Sequence, residues 1–221
     1  MKKQLILAFS FLVFLAPAVN AQMAFKKGCL LLSISEGSTT AKYSTTNTAQ
    51  TTESPATQFS EMDGIRDPLF IEFGLSNRWG IGLSTGNDLF DVDPNKYYGF
   101  NLSDNKKVNV KTSEFTFDVN YHLYTRKRLD WSIYTSFGSF GVAFSGKDGD
   151  AAYNYKAKGG IIRVGSKLRY YFWKRLGVLG MVSQYSGTAS TDGVKGNTVG
   201  TNTATTISGY ALEFGLCFRF F

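Results

Sequence analysis

The 221-residue sequence has only two cysteines, one histidine and four prolines. Cys29, Cys217 and His122 cannot supply the closely spaced set of ligands that a zinc site requires. No phosphate-loop or dinucleotide-binding glycine pattern is present. Beyond the first 21 residues there is no apolar run of the length a membrane-spanning helix needs, about 18 residues or more. Charge of one sign is only in moderate excess, with 24 basic against 17 acidic residues. The excess is spread along the chain, so nucleic-acid binding is not called for.

The aromatics are abundant, with 19 Phe, 12 Tyr and 3 Trp. The N-terminus has its own character: Met1-Lys2-Lys3 precedes an apolar run from Leu5 to Ala18, which ends in Val19-Asn20-Ala21. This is the pattern of a secretory signal peptide, with cleavage expected after Ala21. Gln22 follows where a lipoprotein would carry Cys. The expected organisation is a signal segment, 1–21, and one mature domain, 22–221.

Alternation with a period of two dominates the mature chain. At the C-terminus Tyr210, Leu212, Phe214, Leu216, Phe218 and Phe220 alternate with Ala211, Glu213, Gly215, Cys217 and Arg219. Residues 114–123 repeat the pattern without exception, from Glu114-Phe115 to His122-Leu123. In the segment 162–172, Ile162, Val164, Leu168, Tyr170 and Phe172 oppose Arg163, Gly165, Lys167 and Arg169, with Ser166 the one polar residue on the apolar face. A strand with one face in lipid and one on a small or charged interior reads this way. Weaker repeats bring the expected strands to eight: 27–36, 67–76, 79–87, 108–124, 129–145, 159–173, 176–187 and 205–221. The expected fold is all-β, an eight-stranded antiparallel up-and-down transmembrane β-barrel.

The expected connections alternate between short and long. Short turns fall at Asn77-Arg78, 125–128 and Lys174-Arg175, while long loops follow the first, third, fifth and seventh strands, covering 37–66, 86–107, 146–158 and 187–205. That asymmetry predicts periplasmic turns and outward-facing loops. Trp79, Trp131 and Trp173 all flank short turns, as an interfacial aromatic girdle would. A soluble sandwich or lipocalin-like barrel shares the alternation but has no use for such a girdle. For an exported barrel, the basic excess suits outer-membrane lipid and lipopolysaccharide.

These residues resemble the small eight-stranded outer-membrane barrels that include the OmpA transmembrane domain and OmpX-like proteins. The likeness covers the whole mature chain. Its most specific element is Tyr210 to Phe221, which resembles the C-terminal signal read by the barrel assembly machinery. The outward series ends at Phe220 and leaves Phe221 out of step, so either the strand bulges at Arg219 or the signal is a variant. Gln22 and the ending Phe218-Arg219-Phe220-Phe221 are similar to those of many Bacteroidetes outer-membrane proteins. The resemblance implies a cell-envelope location in a Gram-negative organism. It leaves open structural links, adhesins, porin-like narrow pores and lipid-modifying enzymes.

The inward parity carries Glu72, Glu114, Asp118 and Glu213 against Arg163, Lys167, Arg169 and Arg219. Counting back from the short turns sets Glu114 level with Arg163, Asp118 with Lys167 and Glu72 with Arg169. An interior ion-pair network is therefore expected, filling a lumen just wide enough for side chains. A selective pore would more naturally show a ring of one sign. His122 has no motif-linked nucleophile, so neither a catalytic site nor a cofactor is expected. Cys29 and Cys217 share the inward parity on the first and last strands, where either a disulfide or two packed thiols fits. Asn87, Asp88, Asp91, Asp93 and Asn95 hint at calcium, but counting from Asp91, Lys96 stands where an EF-hand needs Gly. The Ser/Thr-rich first loop and the Thr/Asn/Gly-rich last loop read as hydrated surface or as a contact surface for a ligand. A structural or surface-interaction barrel is the first expectation. A narrow pore and a lipid A-modifying enzyme are the alternatives.

Overall fold

A computed structural model describes residues 24–47, 58–92, 108–148, 151–191 and 203–220. The signal segment 1–21 and Phe221 lie outside the described residues. The elements are β1 (Leu30–Asn47), β2 (Gln58–Arg66), β3 (Leu69–Gly74), β4 (Trp79–Val92), β5 (Val108–Arg126), β6 (Leu129–Asp148), β7 (Ala151–Tyr171), β8 (Leu176–Ser190) and β9 (Thr203–Arg219). All pair antiparallel with their neighbours, and β1 pairs with β9 to close the sheet.

The nine elements make eight walls. β2 and β3 keep one register against both β1 and β4, and the break between them falls at Asp67-Pro68. Pro68 has no N–H to give to the ladder. Its carbonyl still accepts from the Ser35 N–H at 3.1 Å, and the Asp67 N–H still reaches the Asn87 carbonyl at 3.1 Å. One circuit of paired residues runs Ser33, Phe70, Ser84, Thr116, Gly138, Ile161, Gly187, Ile207 and back to β1 at Tyr43. The circuit ends ten residues further along β1 than it began, a stagger that tilts the strands as barrel closure demands.

The strands run further than the sequence pattern indicates. β1 continues to Asn47, β2 begins at Gln58, and β4, β8 and β9 reach Val92, Ser190 and back to Thr203. Parts of the expected loops 37–66, 86–107 and 187–205 are therefore strand, and the long loop expected over 146–158 is instead strand on both sides, β6 ending at Asp148 and β7 beginning at Ala151. β7 has 21 residues, about twice the 9–11 that cross a bilayer. The reason the pattern stops short is an inversion of polarity. Near the turns the outside is apolar, with Phe115 56% and Phe214 65% exposed, while the inside is charged. Towards the long connections Lys111, Lys156, Lys158 and Ser186 face out, and Tyr43, Met62, Phe90, Phe140, Phe144 and Ile207 form an apolar core inside the barrel. The half near the turns is built for lipid, and the other half is built as a water-soluble barrel.

Register also decides two open points. No shift occurs at Arg219, which pairs regularly with Leu31. The irregularity lies instead between His122 and Tyr124 on β5, where Leu123 and Tyr124 both face out. Cys217 pairs with Ser33, four residues up the strand from Cys29, and both thiols are free and buried.

At the closing seam β9 approaches β1 through glycine. A Cβ on Gly215 would stand on the Ile34 carbonyl oxygen and 2.6 Å from Ser35 Cα. Backbone cannot yield there as a flexible side chain can. Gly215→Ala is expected to lower stability by roughly 1–3 kcal/mol. The measurement is the urea midpoint of the refolded protein in lipid vesicles, and an unchanged midpoint would show that the seam tolerates a side chain.

Candidate functional site in the barrel lumen

The lumen holds three polar tiers between two apolar ends. At the turn end the backbone hooks under the barrel. The Gly28 N–H bonds the Gly74 carbonyl at 2.7 Å, and Gly28 takes φ +78, a left-handed turn suited to glycine. The hook seats Phe25 inside the mouth, fully buried, with its N–H donated to Thr125 Oγ1 at 3.1 Å.

Phe25 stacks on His122 with ring centroids 3.4 Å apart. His122 belongs to a closed ring of four ionisable side chains. Its Nε2 lies 2.8 Å from Glu72 Oε1 and its Nδ1 lies 2.6 Å from Asp130 Oδ1. Arg169 completes the ring, reaching Asp130 Oδ2 at 2.8 Å and Glu72 Oε2 at 2.6 Å. A neutral imidazole can donate from one nitrogen only. Two carboxylates, one on each nitrogen, are matched by an imidazolium, which with Arg169 balances the charge of the ring.

Above this ring Lys167 Nζ donates to Asn120 Oδ1 at 3.1 Å and lies over Phe70 and Tyr134, 4.4 and 4.1 Å from their centroids. Asp118 Oδ1 accepts from Ser84 at 3.0 Å and Thr116 at 3.2 Å. Ser132 Oγ, Ser136 Oγ and Asn120 Nδ2 find no protein partner, and buried groups of this kind call for ordered water.

The third tier centres on Arg66. Its guanidinium meets Asp88 Oδ1 at 2.9 Å, Glu213 Oε1 at 3.2 Å and Glu114 Oε1. Arg163 reaches the other oxygen of Glu114 at 2.9 Å, donates to Ser183 Oγ at 2.9 Å and lies over the Tyr185 ring. Ser35 donates to Glu213 Oε2 at 3.0 Å and Thr112 to Asp88 Oδ2 at 2.7 Å. Every carboxylate in this tier is buried. Each takes two or more hydrogen bonds, which is how a low-dielectric lumen holds charge.

Of the residues singled out from sequence, Glu72, Glu114, Asp118, Glu213, Arg163, Lys167, Arg169 and Arg219 are all buried. Contacts join Glu72 to Arg169 and Glu114 to Arg163. Lys167 instead hydrogen-bonds Asn120. Arg219 lies apart from the tiers, donating to the Lys174 carbonyl and covering the Tyr171 ring. Arg66, Asp88, Asp130 and His122 were missed as members. Asp130 and His122 were readable from parity, since Trp131 and Tyr121 face out on either side of the turn. Trp79 and Trp131 are half exposed beside the turns, Trp79 against Tyr121 at 4.8 Å and Trp131 donating to Ser166 Oγ at 2.8 Å. Trp173 sits in the β7–β8 turn, its N–H on the Leu176 carbonyl at 3.1 Å.

No protein-family model and no curated protein matches the chain. Solved structures with a similar chain course include Ail, the attachment invasion locus protein of Yersinia pestis, at 13% identity, covering 88% of this chain and 99% of that one with TM-score 0.46. Ail is also known in complex with the heparin analogue sucrose octasulfate. The outer membrane protein OprG from Pseudomonas aeruginosa aligns at 14% identity over 89% of this chain and 97% of its own, TM-score 0.48. The outer membrane protease OmpT from Escherichia coli aligns at 10% identity over 91% and 99%, TM-score 0.43. By its own closed sheet, apolar outer belt and charged lumen, the chain has the architecture of an outer-membrane-type transmembrane β-barrel.

Proposed function

We propose that this protein is a non-conducting, non-enzymatic barrel of the Gram-negative outer membrane, with a structural role or one exerted through its outward surface. Export by the segment 1–21 would deliver it to the periplasm, where the C-terminal strand β9 would present it to the assembly machinery. The short turns then face the periplasm, the Trp79, Trp131 and Trp173 girdle marks the inner interface, and the long connections face outward, where they can meet a surface ligand.

The observation that carries this reading is the packing of the lumen with buried side chains at successive heights. The hook, the three polar tiers and the apolar core follow one another among the described residues, from Phe25 and His122 through Lys167 and Arg66 to Phe140 and Ile207. Ion pairs of both signs hold the walls together rather than forming the one-signed ring of a selective pore. The state of His122 supports the non-enzymatic part. Both ring nitrogens are engaged by carboxylates and one face is covered by Phe25, so the imidazole is not positioned to activate a nucleophile.

Single-channel recording in planar bilayers tests the proposal. The wild-type protein is expected to stay silent, and Glu114→Gln with Arg163→Gln is expected to add brief openings by loosening the third tier. Steady conductance of the wild type would overturn the sealed-barrel reading and favour a narrow pore.

A further inference from the structure

The soluble half of the barrel is electrically two-faced. On its acidic wall Glu61 and Asp63 of β2 and Asp91 of β4 face out and are exposed. Asp63 and Asp91 are direct cross-strand partners, an arrangement in which like charges destabilise the pair. Lys42 lies 3.5 Å from Glu61; the next described cation, Lys111 of β5, pairs with Leu89, two residues along β4 from Asp91, and no described residue is ion-paired to Asp63 or Asp91. The basic wall carries Lys156 and Lys158 of β7, again outward and exposed, while Lys111 of β5 lies between the two walls, paired with Leu89 of β4. Lys111 and Lys156 both pair with Ala143 between them, so a small residue separates the two ammonium-bearing strands.

Two features of the geometry make these walls complementary. In the ring of eight walls, the one made by β2 and β3 lies four steps from that of β7, on the opposite side. The walls also stand at one height. Paired rows climb ten residues over eight strands in passing round from β1 to β9, which over the four steps from β2 to β7 offsets the two and four residues by which Lys156 and Lys158 lie below the row of Asp63 and Asp91. Copies inserted in one bilayer share orientation and depth. Opposite walls at equal height are therefore the surfaces that meet when barrels pack side by side.

The acidic wall has a further feature. Below Asp63 it continues as Asp67 and, next to it on β1, Glu36, both outward and exposed. They lie within the zone where Leu69, Phe115 and Phe214 make the belt apolar. Carboxylates facing hydrocarbon are unfavourable, and a protein neighbour covering this wall would take them out of contact with lipid.

We propose that the acidic wall of one copy docks against the basic wall of a second copy, giving a heterologous contact. Because the two walls are opposite, such contacts propagate as rows in the membrane plane and do not close into a dimer. The proposal requires only that the barrel stand in a bilayer.

The test uses the full mature protein refolded into phosphatidylcholine vesicles, whose lipids carry no net charge that could bridge lysines. One population carries Ile65→Cys on the acidic wall and a differently tagged one carries Gly160→Cys on the basic wall. The buried native thiols do not compete. Oxidation is expected to yield the mixed dimer about tenfold above either population alone. Asp63→Lys with Asp91→Lys in the first population, or Lys156→Glu with Lys158→Glu in the second, is expected to remove that excess. Both sets together should restore it, because the walls are again complementary. The heat-dependent gel shift of a folded barrel checks each variant before oxidation. Equal cross-linking of like and unlike populations would overturn the proposal. So would a paired charge swap that fails to restore the mixed dimer.

Discussion

Arg66→Met is expected to be among the most destabilising single changes in this barrel, on the order of 3–5 kcal/mol, because it leaves buried carboxylates without their shared cation. Arg66 touches Asp88, Glu114 and Glu213 together, and its side chain has no exposed surface. Glu114 keeps Arg163 when Arg66 is lost, so the larger penalty falls on Asp88 and Glu213. Neutralising those two in the same background, Asp88→Asn with Glu213→Gln, should recover much of the loss. Urea unfolding in vesicles, followed by tryptophan fluorescence, measures both. A shift below about 1 kcal/mol for Arg66→Met would mean that water, not Arg66, neutralises the tier.

Arg169→Met should cost a similar amount, about 3–5 kcal/mol, for a related reason. Arg169 is one of two cations in the ring with Glu72, Asp130 and His122. Its loss leaves two carboxylates to the imidazole alone. His122→Asn is expected to cost less, because Arg169 remains and an amide can still donate to one carboxylate. The ring also has a spectroscopic signature. Nitrogen chemical shifts of His122 at neutral pH should report both ring nitrogens protonated, and a neutral tautomer would show that one of the two carboxylate contacts is held by other means.

Local pattern was enough for the lipid-facing half of this molecule. Alternation of Phe115, Phe117, Leu212 and Phe214 with Glu114, Thr116, Asp118 and Glu213 is legible because hydrocarbon outside and charge inside differ at every step along the strand. The short turns and the flanking tryptophans were legible for the same reason. Parity alone also placed Glu72, Glu114, Asp118 and Arg163 on the inner face.

Tertiary structure decided what happens above the belt. There Thr40, Lys42, Asp63 and Ser186 face water while Ala41, Tyr43, Met62 and Tyr185 are inside. Reversing the polarity of the two faces halfway along one strand breaks a pattern that is read as continuous. Arg66 and Asp88 sit at that reversal, which is why they looked like loop residues. The stagger of the closed sheet is likewise not a property of any one strand. It sets which carboxylate reaches which guanidinium, keeps Cys29 and Cys217 four residues out of register, and brings an acidic and a basic wall to one height. Sequence determined the faces of the strands, because solvent acts on each residue locally, whereas contacts across the lumen and between walls depend on how the whole sheet closes.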